Sequence, residues 1–189
     1  MINLTSTVCA FAVLSTLVAC SQEAEVVQSE AAINAQTESA TEFAAVLQPT
    51  EGNAVSGTVL FSSTENGVRV SANVNGLALM SSHGFHIHEF GDCSAADASS
   101  AGGHFNPRGQ PHGAPDSAQR HVGDLGNIVS NGAGVAQTNM VDTQLSFSGM
   151  DSIVGKSVVI HAVEDDLETQ PTGNAGARLA CGVITAAGD

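Results

Sequence analysis

Val68, Val70, Ala72 and Val74 alternate with Arg69, Ser71 and Asn73, and that alternation leaves the chain few architectures. Successive side chains of a strand point to opposite faces, so a period of two lines one face with apolar groups and the other with polar ones. Similar short runs occur at Val55 to Phe61, Val135 to Val141, Gln144 to Phe147, Val158 to Val163 and Leu179 to Ile184. Glu65-Asn66-Gly67 and Ser130-Asn131-Gly132 carry Asn-Gly turn signals between strands. No long helical period competes. From residue 54 the chain reads as all-β, an antiparallel Greek-key sandwich or flattened barrel.

Chemistry-bearing residues are laid over this pattern. Six of the seven histidines, with Asp124, occur as His86-x-His88, His104, His112, His121-x-x-Asp124 and His161. Gly84 to His88 alternates as a strand does, so His86 and His88 project side by side. Residues 91 to 124 are rich in Gly, Pro, Ser and Ala without a sustained period, which reads as a long functional loop. His104, His112, His121 and Asp124 supply three imidazoles and a carboxylate, a complete tetrahedral set for zinc with no position open to substrate. His161 ends the apolar run Ser157 to Ile160 and joins His86 and His88 as three imidazoles suited to copper. If His104 gives one ring nitrogen to each ion, copper gains a fourth ligand. The competing reading of the spacing is that several of these are ordinary loop histidines, or that they form a single zinc site with spares.

The segments Gly84-Phe85-His86-Ile87-His88-Glu89-Phe90-Gly91-Asp92, Gly103-His104-Phe105-Asn106-Pro107, His121-Val122-Gly123-Asp124-Leu125-Gly126-Asn127 and Gly173-Asn174-Ala175-Gly176-Ala177-Arg178-Leu179-Ala180-Cys181-Gly182, in this order, resemble the copper/zinc superoxide dismutases. The similarity runs over about residues 52 to 187. It implies an immunoglobulin-like sandwich of about eight strands, with a long metal-binding loop and a short electrostatic loop. It further implies one copper per subunit on His86, His88, His161 and the bridging His104, and one zinc on His104, His112, His121 and Asp124. Asp165 matches the carboxylate that links the unused ring nitrogens of His86 and His112. Arg178 should flank the copper and bind the anion, and His104 should carry a proton in the reaction. Thr172 matches a second channel-wall residue, and His83 a histidine used for backbone hydrogen bonds. The implied activity converts two superoxide ions to dioxygen and hydrogen peroxide. The alternative function is a non-catalytic periplasmic copper/zinc-binding or metal-buffering relative.

The first 19 residues, with the apolar stretch Val8 to Ala19, resemble a signal peptide. Leu17-Val18-Ala19-Cys20 looks like a bacterial lipobox with Cys20 as the lipidated first mature residue, although no Lys or Arg precedes the apolar stretch. Residues 20–51 read as a flexible acidic tether, with a short amphipathic helix around Glu42 to Leu47 as an option. The catalytic domain is then expected over 52–189. An exported protein of the bacterial envelope follows, held to a membrane only through its lipid. Cys93 and Cys181 remain after Cys9 and Cys20 are set aside, and an oxidising compartment favours a disulfide between them over two free thiols.

The net charge of −14 looks wrong for an enzyme that attracts anions, and no nucleic-acid partner is expected. Residues 21 to 51 carry six acids and no base, which leaves about −8 on the domain. A cleft of one sign can still focus a local field against the average. The stretch Asp166 to Gly173 is short and has no lysine, so the steering bases beyond Arg178 are left among Arg108, Arg120 and Lys156. The chain has no Trp or Tyr to anchor an interface, so homodimer and monomer both stay open.

Overall fold

The computed structural model describes residues 42–188. The expected signal peptide, Cys20 and the first part of the tether lie outside the described residues. Eight strands follow in chain order: β1 (Glu42–Pro49), β2 (Ser56–Thr64), β3 (Gly67–Asn75), β4 (Ser82–His88), β5 (Asp124–Val129), β6 (Ala136–Asp142), β7 (Ser157–His161) and β8 (Arg178–Ala186). A single 3-10 turn, Ser99–Ala101, interrupts the long loop between β4 and β5.

All pairings are antiparallel, in the order β5-β4-β7-β8-β1-β2-β3-β6. The connections β3–β4 and β6–β7 cross between the two halves, which is the Greek-key feature. The ends of the order also approach each other through a bridge between Ser130 and Ala136, so the sheet curls into a nearly closed barrel. The alternation in β3 appears as expected: Val68, Val70, Ala72 and Val74 are buried, while Arg69 and Asn73 are exposed. Phe61, Phe85, Leu47, Ile87, Ile128, Ile160 and Ile184 complete the interior.

β4 departs from simple alternation, since every residue from His83 to His88 is buried. Phe85 and Ile87 face the barrel interior. The long loop covers the other side, stitched to β4 where the N–H of Phe105 meets the Ile87 carbonyl at 2.8 Å and the N–H of Ile87 meets the Gly123 carbonyl at 2.9 Å. A side chain at Gly123 would put its Cβ against the Ile87 carbonyl oxygen, so only glycine permits this approach. Cys93 and Cys181 form a disulfide that ties the loop to β8, with Cα atoms 5.7 Å apart. Its chain-entropy contribution is about 4–5 kcal/mol.

Two expectations need correction. The first is the end of the expected tether, because Glu42–Pro49 is strand β1, paired with both β2 and β8. It is neither tether nor helix: Ala45 and Leu47 point inward and Val46 outward, a strand's parity. The second is Gln144 to Phe147, which forms no strand. The Asp142 carboxylate accepts the backbone N–H groups of Gln144 and Leu145 and turns the chain out of β6. Leu145 is buried and Phe147 packs on Phe43, with ring centroids 4.6 Å apart. The apolar spacing there therefore records packing without ladder pairing.

Candidate metal centre

Strand parity, the β4–β7 pairing and the covering loop bring two donor sets together. His86, His88, His104 and His161 form one, and His104, His112, His121 and Asp124 the other. Within each set the donor atoms lie within 4.8 Å of one another, and all seven residues are buried. His104 is common to both, as the spacing had suggested for a shared ligand. The β4–β5 register shifts between Gly84 and His86, a bulge that lets Asp124 sit opposite His86.

Each imidazole of the first set has one nitrogen committed and one available. His86 donates Nε2–H to Asp165 Oδ2 at 2.7 Å. His88 donates Nδ1–H to the Gly102 carbonyl at 2.9 Å, and His161 donates Nδ1–H to the Gly176 carbonyl at 3.2 Å. The opposite nitrogens are therefore the lone-pair atoms, and those of His88 and His161 (both Nε2) lie 3.3 Å apart. Outer hydrogen bonds of this kind fix the tautomer and aim of a ligating ring.

In the second set three Nδ1 atoms converge on Asp124. His104 Nδ1 and His121 Nδ1 lie 2.8 and 3.1 Å from Oδ1, and His112 Nδ1 lies 3.1 Å from Oδ2. His112 donates its other nitrogen, Nε2, to Asp165 Oδ1 at 2.9 Å, so Asp165 joins His86 to His112. His86 Nδ1, His104 Nε2 and His112 Nδ1 are buried without a hydrogen-bond partner. Three orphaned nitrogens in two clusters would be costly in an ordinary core. They fit donors arranged for metal ions, with imidazoles alone suiting copper and the mixed set suiting zinc.

The electrostatics agree. Burial, reinforced by neighbouring histidines, holds His88 well below the usual histidine range. Burial likewise lowers His161 to about 3 and His104 to about 4, so these rings are neutral, as ligands must be. Burial pulls His112 the same way, but the carboxylates of Asp124 and Asp165 outweigh it and raise this ring to about 9. Burial opposes ionisation of Asp124 and Asp165, yet the histidine N–H groups hold both well below the usual carboxylate range.

Arg178 opens β8 opposite His161. Its Nη1 and Nη2 donate to the Ala98 and Gly102 carbonyls, each at 2.6 Å. The Gly102 carbonyl is the one that holds His88, so the guanidinium and a ring of the all-histidine set share an acceptor. His83 has the structural role expected of it, with Nδ1–H on the His161 carbonyl at 2.9 Å. Thr172 is half-buried, and its carbonyl accepts the N–H of Ala175.

Of the three proposed steering bases, Arg120 is excluded. It is buried, paired with Asp142 at 2.5 Å, and gives Nη1 to the carbonyls of His121, Val122 and Asp124. It shapes the backbone of the second donor set rather than a field in solvent. Arg108 is paired with Asp151, and Lys156 donates to the Glu89 carbonyl. With Arg69 hydrogen-bonded to Asn139, Arg178 is the one base of five that shares an acceptor with a ring of the all-histidine set.

Three supporting residues escaped the sequence reading. Asn127 brackets Asp165, accepting its N–H at 2.8 Å and donating to its carbonyl at 2.9 Å. Gln170 does the same for His112, accepting its N–H at 2.8 Å and donating to its carbonyl at 2.9 Å. Gly173 has φ +63°, and a Cβ there would collide with Asp165 Oδ1. Only glycine lets the chain pass so close to the carboxylate.

Comparison with known proteins agrees with this geometry. The crystal structure of the clock protein EA4 is similar, with 41% sequence identity, a TM-score of 0.70, and coverage of 77% of this chain and 94% of that one. Residues 55–184 match the family described as copper/zinc superoxide dismutase (SODC). With that match over more than half its length and both donor sets in place, the chain belongs to the copper/zinc superoxide dismutase family.

Proposed function

We propose that the protein is a superoxide dismutase of the bacterial envelope. The observation that carries this reading is the Arg178 guanidinium beside the all-histidine set, sharing the Gly102 carbonyl with His88. Copper bound to His86, His88, His104 and His161 would supply the one-electron Cu(II)/Cu(I) couple, and zinc on His104, His112, His121 and Asp124 a fixed positive charge. Arg178 keeps its own charge at all working pH values and uses two of its five N–H donors on carbonyls, which leaves others for an anion. It attracts superoxide and orients it toward the donor set. His104 Nε2, the ring nitrogen not engaged by Asp124, would hold a proton for the departing peroxide while it is free of copper. Asp165 keeps His86 and His112 from rotating while that proton moves.

Fields local to a cleft outweigh an average charge of the opposite sign, a principle for which this enzyme family is itself a standard illustration. The arginine argues against a metal buffer, which needs ligands but no anion-binding cation. Export through residues 1–19 and lipidation at Cys20 complete the proposal and rest on the sequence motif alone. Labelling with palmitate should mark the protein, and a Cys20-containing precursor that takes no label would refute the lipid anchor.

The decisive experiment is metal analysis of the purified protein alongside superoxide decay. One copper and one zinc per chain with rapid decay support the dismutase, whereas both metals without activity support the buffer. Arg178→Ala should retain both metals while losing rate and its salt dependence.

A further inference from the structure

An open cavity of about 590 Å³ lies beside Arg178, lined by Thr50, Glu51, Asn53, Asp97 and Ser99 among others. One cation therefore shares a cavity with two carboxylates. We infer that Asp97 is a positioning residue for Arg178, fixing where the guanidinium sits and at the same time weakening its pull on anions. The inference rests on the dismutase reading of Arg178.

The positioning half follows from the loop's backbone. Asp97 Oδ1 accepts the N–H of Ser99 at 2.9 Å, closing a side-chain-to-backbone turn around Ala98. Ala98 is held in the left-handed region, at φ 56° and ψ 20°, a conformation that disfavours alanine. Its N–H reaches the Ala95 carbonyl at 2.8 Å and its side chain is fully buried. The carbonyl so presented accepts Nη1 of Arg178 at 2.6 Å. Thr50 secures the other end of the contact, its hydroxyl donating to the carbonyls of Arg178 and Leu179.

The electrostatic half follows from sign and proximity. Asp97 is exposed and ionised; burial lowers the proton affinity of Arg178, and the field of the Asp97 carboxylate works against that loss. An anion drawn to Arg178 from this cavity meets the field of that carboxylate as well as the guanidinium. Glu51 adds to it, held in place by its own N–H on the Ala96 carbonyl at 2.8 Å.

Asparagine at residue 97 keeps an oxygen for the Ser99 N–H and removes only the charge, while alanine removes both. The probe is azide, a small monovalent anion, titrated by visible absorption into the copper- and zinc-loaded full chain. Rates of superoxide decay are read across ionic strength in parallel. Asp97→Asn should bind azide about threefold more tightly, the effect of one charge acting over a few ångströms of water, with a steeper fall of rate in salt. Asp97→Ala should bind azide more weakly than Asp97→Asn, because Arg178 loses its seat. Glu65→Gln, on the distant β2–β3 turn, makes the same change in net charge and should leave azide binding as it is. If Asp97→Asn matches Glu65→Gln, the electrostatic role is overturned. If Asp97→Ala matches Asp97→Asn, the positioning role is overturned. Azide binding that is unchanged in Arg178→Ala would remove the underlying dismutase reading instead, and the inference with it.

Discussion

Asp165 shows how much of the centre depends on one side chain that is not itself a donor. It accepts Nε2–H from His86 and from His112 and the backbone N–H of Leu167. Both rings thereby turn Nδ1 toward a donor set, and both Nδ1 atoms are among the orphaned buried nitrogens. Asp165→Asn keeps the shape but leaves one oxygen where two are needed, so one ring must lose its partner or meet an amide N–H head-on. Outer-shell carboxylates of this kind are worth about 10–100-fold in metal affinity. Competition against a chelator should show weaker binding at both donor sets, because one residue serves a ring in each. Unaltered affinity for both copper and zinc would mean that loop packing alone orients His86 and His112.

The strand at the chain's described start carries a prediction of its own. β1 pairs with β2 on one side and β8 on the other, and it buries Ala45 and Leu47. A protein beginning at Thr50 would leave two strand edges exposed and lose about 1.5–3 kcal/mol from Leu47 burial alone. It should aggregate or unfold, whereas one beginning at Glu42 should fold. Equal melting temperatures for the two would return residues 42–49 to the tether. That strand was hard to see because Ala44-Ala45-Val46-Leu47 is an unbroken apolar run beside an acidic stretch, and alanine is a weak strand former. The donors, by contrast, were legible, because strand parity fixes His86 against His88 and the remaining ligands lie in motifs with strict spacing. What holds them was not. Asn127 meets Asp165 across 38 residues and Gln170 meets His112 across 58, and no local pattern encodes either contact. Arg120 was misread for a related reason, since a charge in sequence carries no mark of whether it ends in solvent or in a buried pair with Asp142.

At the scale of the whole molecule, the histidines make stability of the metal-free protein depend on pH in two opposite ways. His104 and His161 are depressed to about 4 and about 3, and His88 is also lowered. An unfolded chain takes up protons near pH 6.5 that the native centre refuses, so these rings cost stability progressively as pH falls below that value. Asp124 and Asp165, held low in the fold, add to the loss in stronger acid. His112 works the other way. With its pKa raised to about 9, it contributes stability that is full below about pH 6.5 and lost as pH rises through 9. The metal-free protein should therefore melt highest near neutral pH and decline on both sides. Metal loading should abolish the alkaline decline, because an ion on His112 Nδ1 takes the place of the proton that Asp124 otherwise stabilises. Melting temperatures from pH 4 to 10, with and without copper and zinc, test this directly. An alkaline limb equally steep in both forms would show that His112 does not exchange its proton for a metal ion, and would take that ring out of the zinc set.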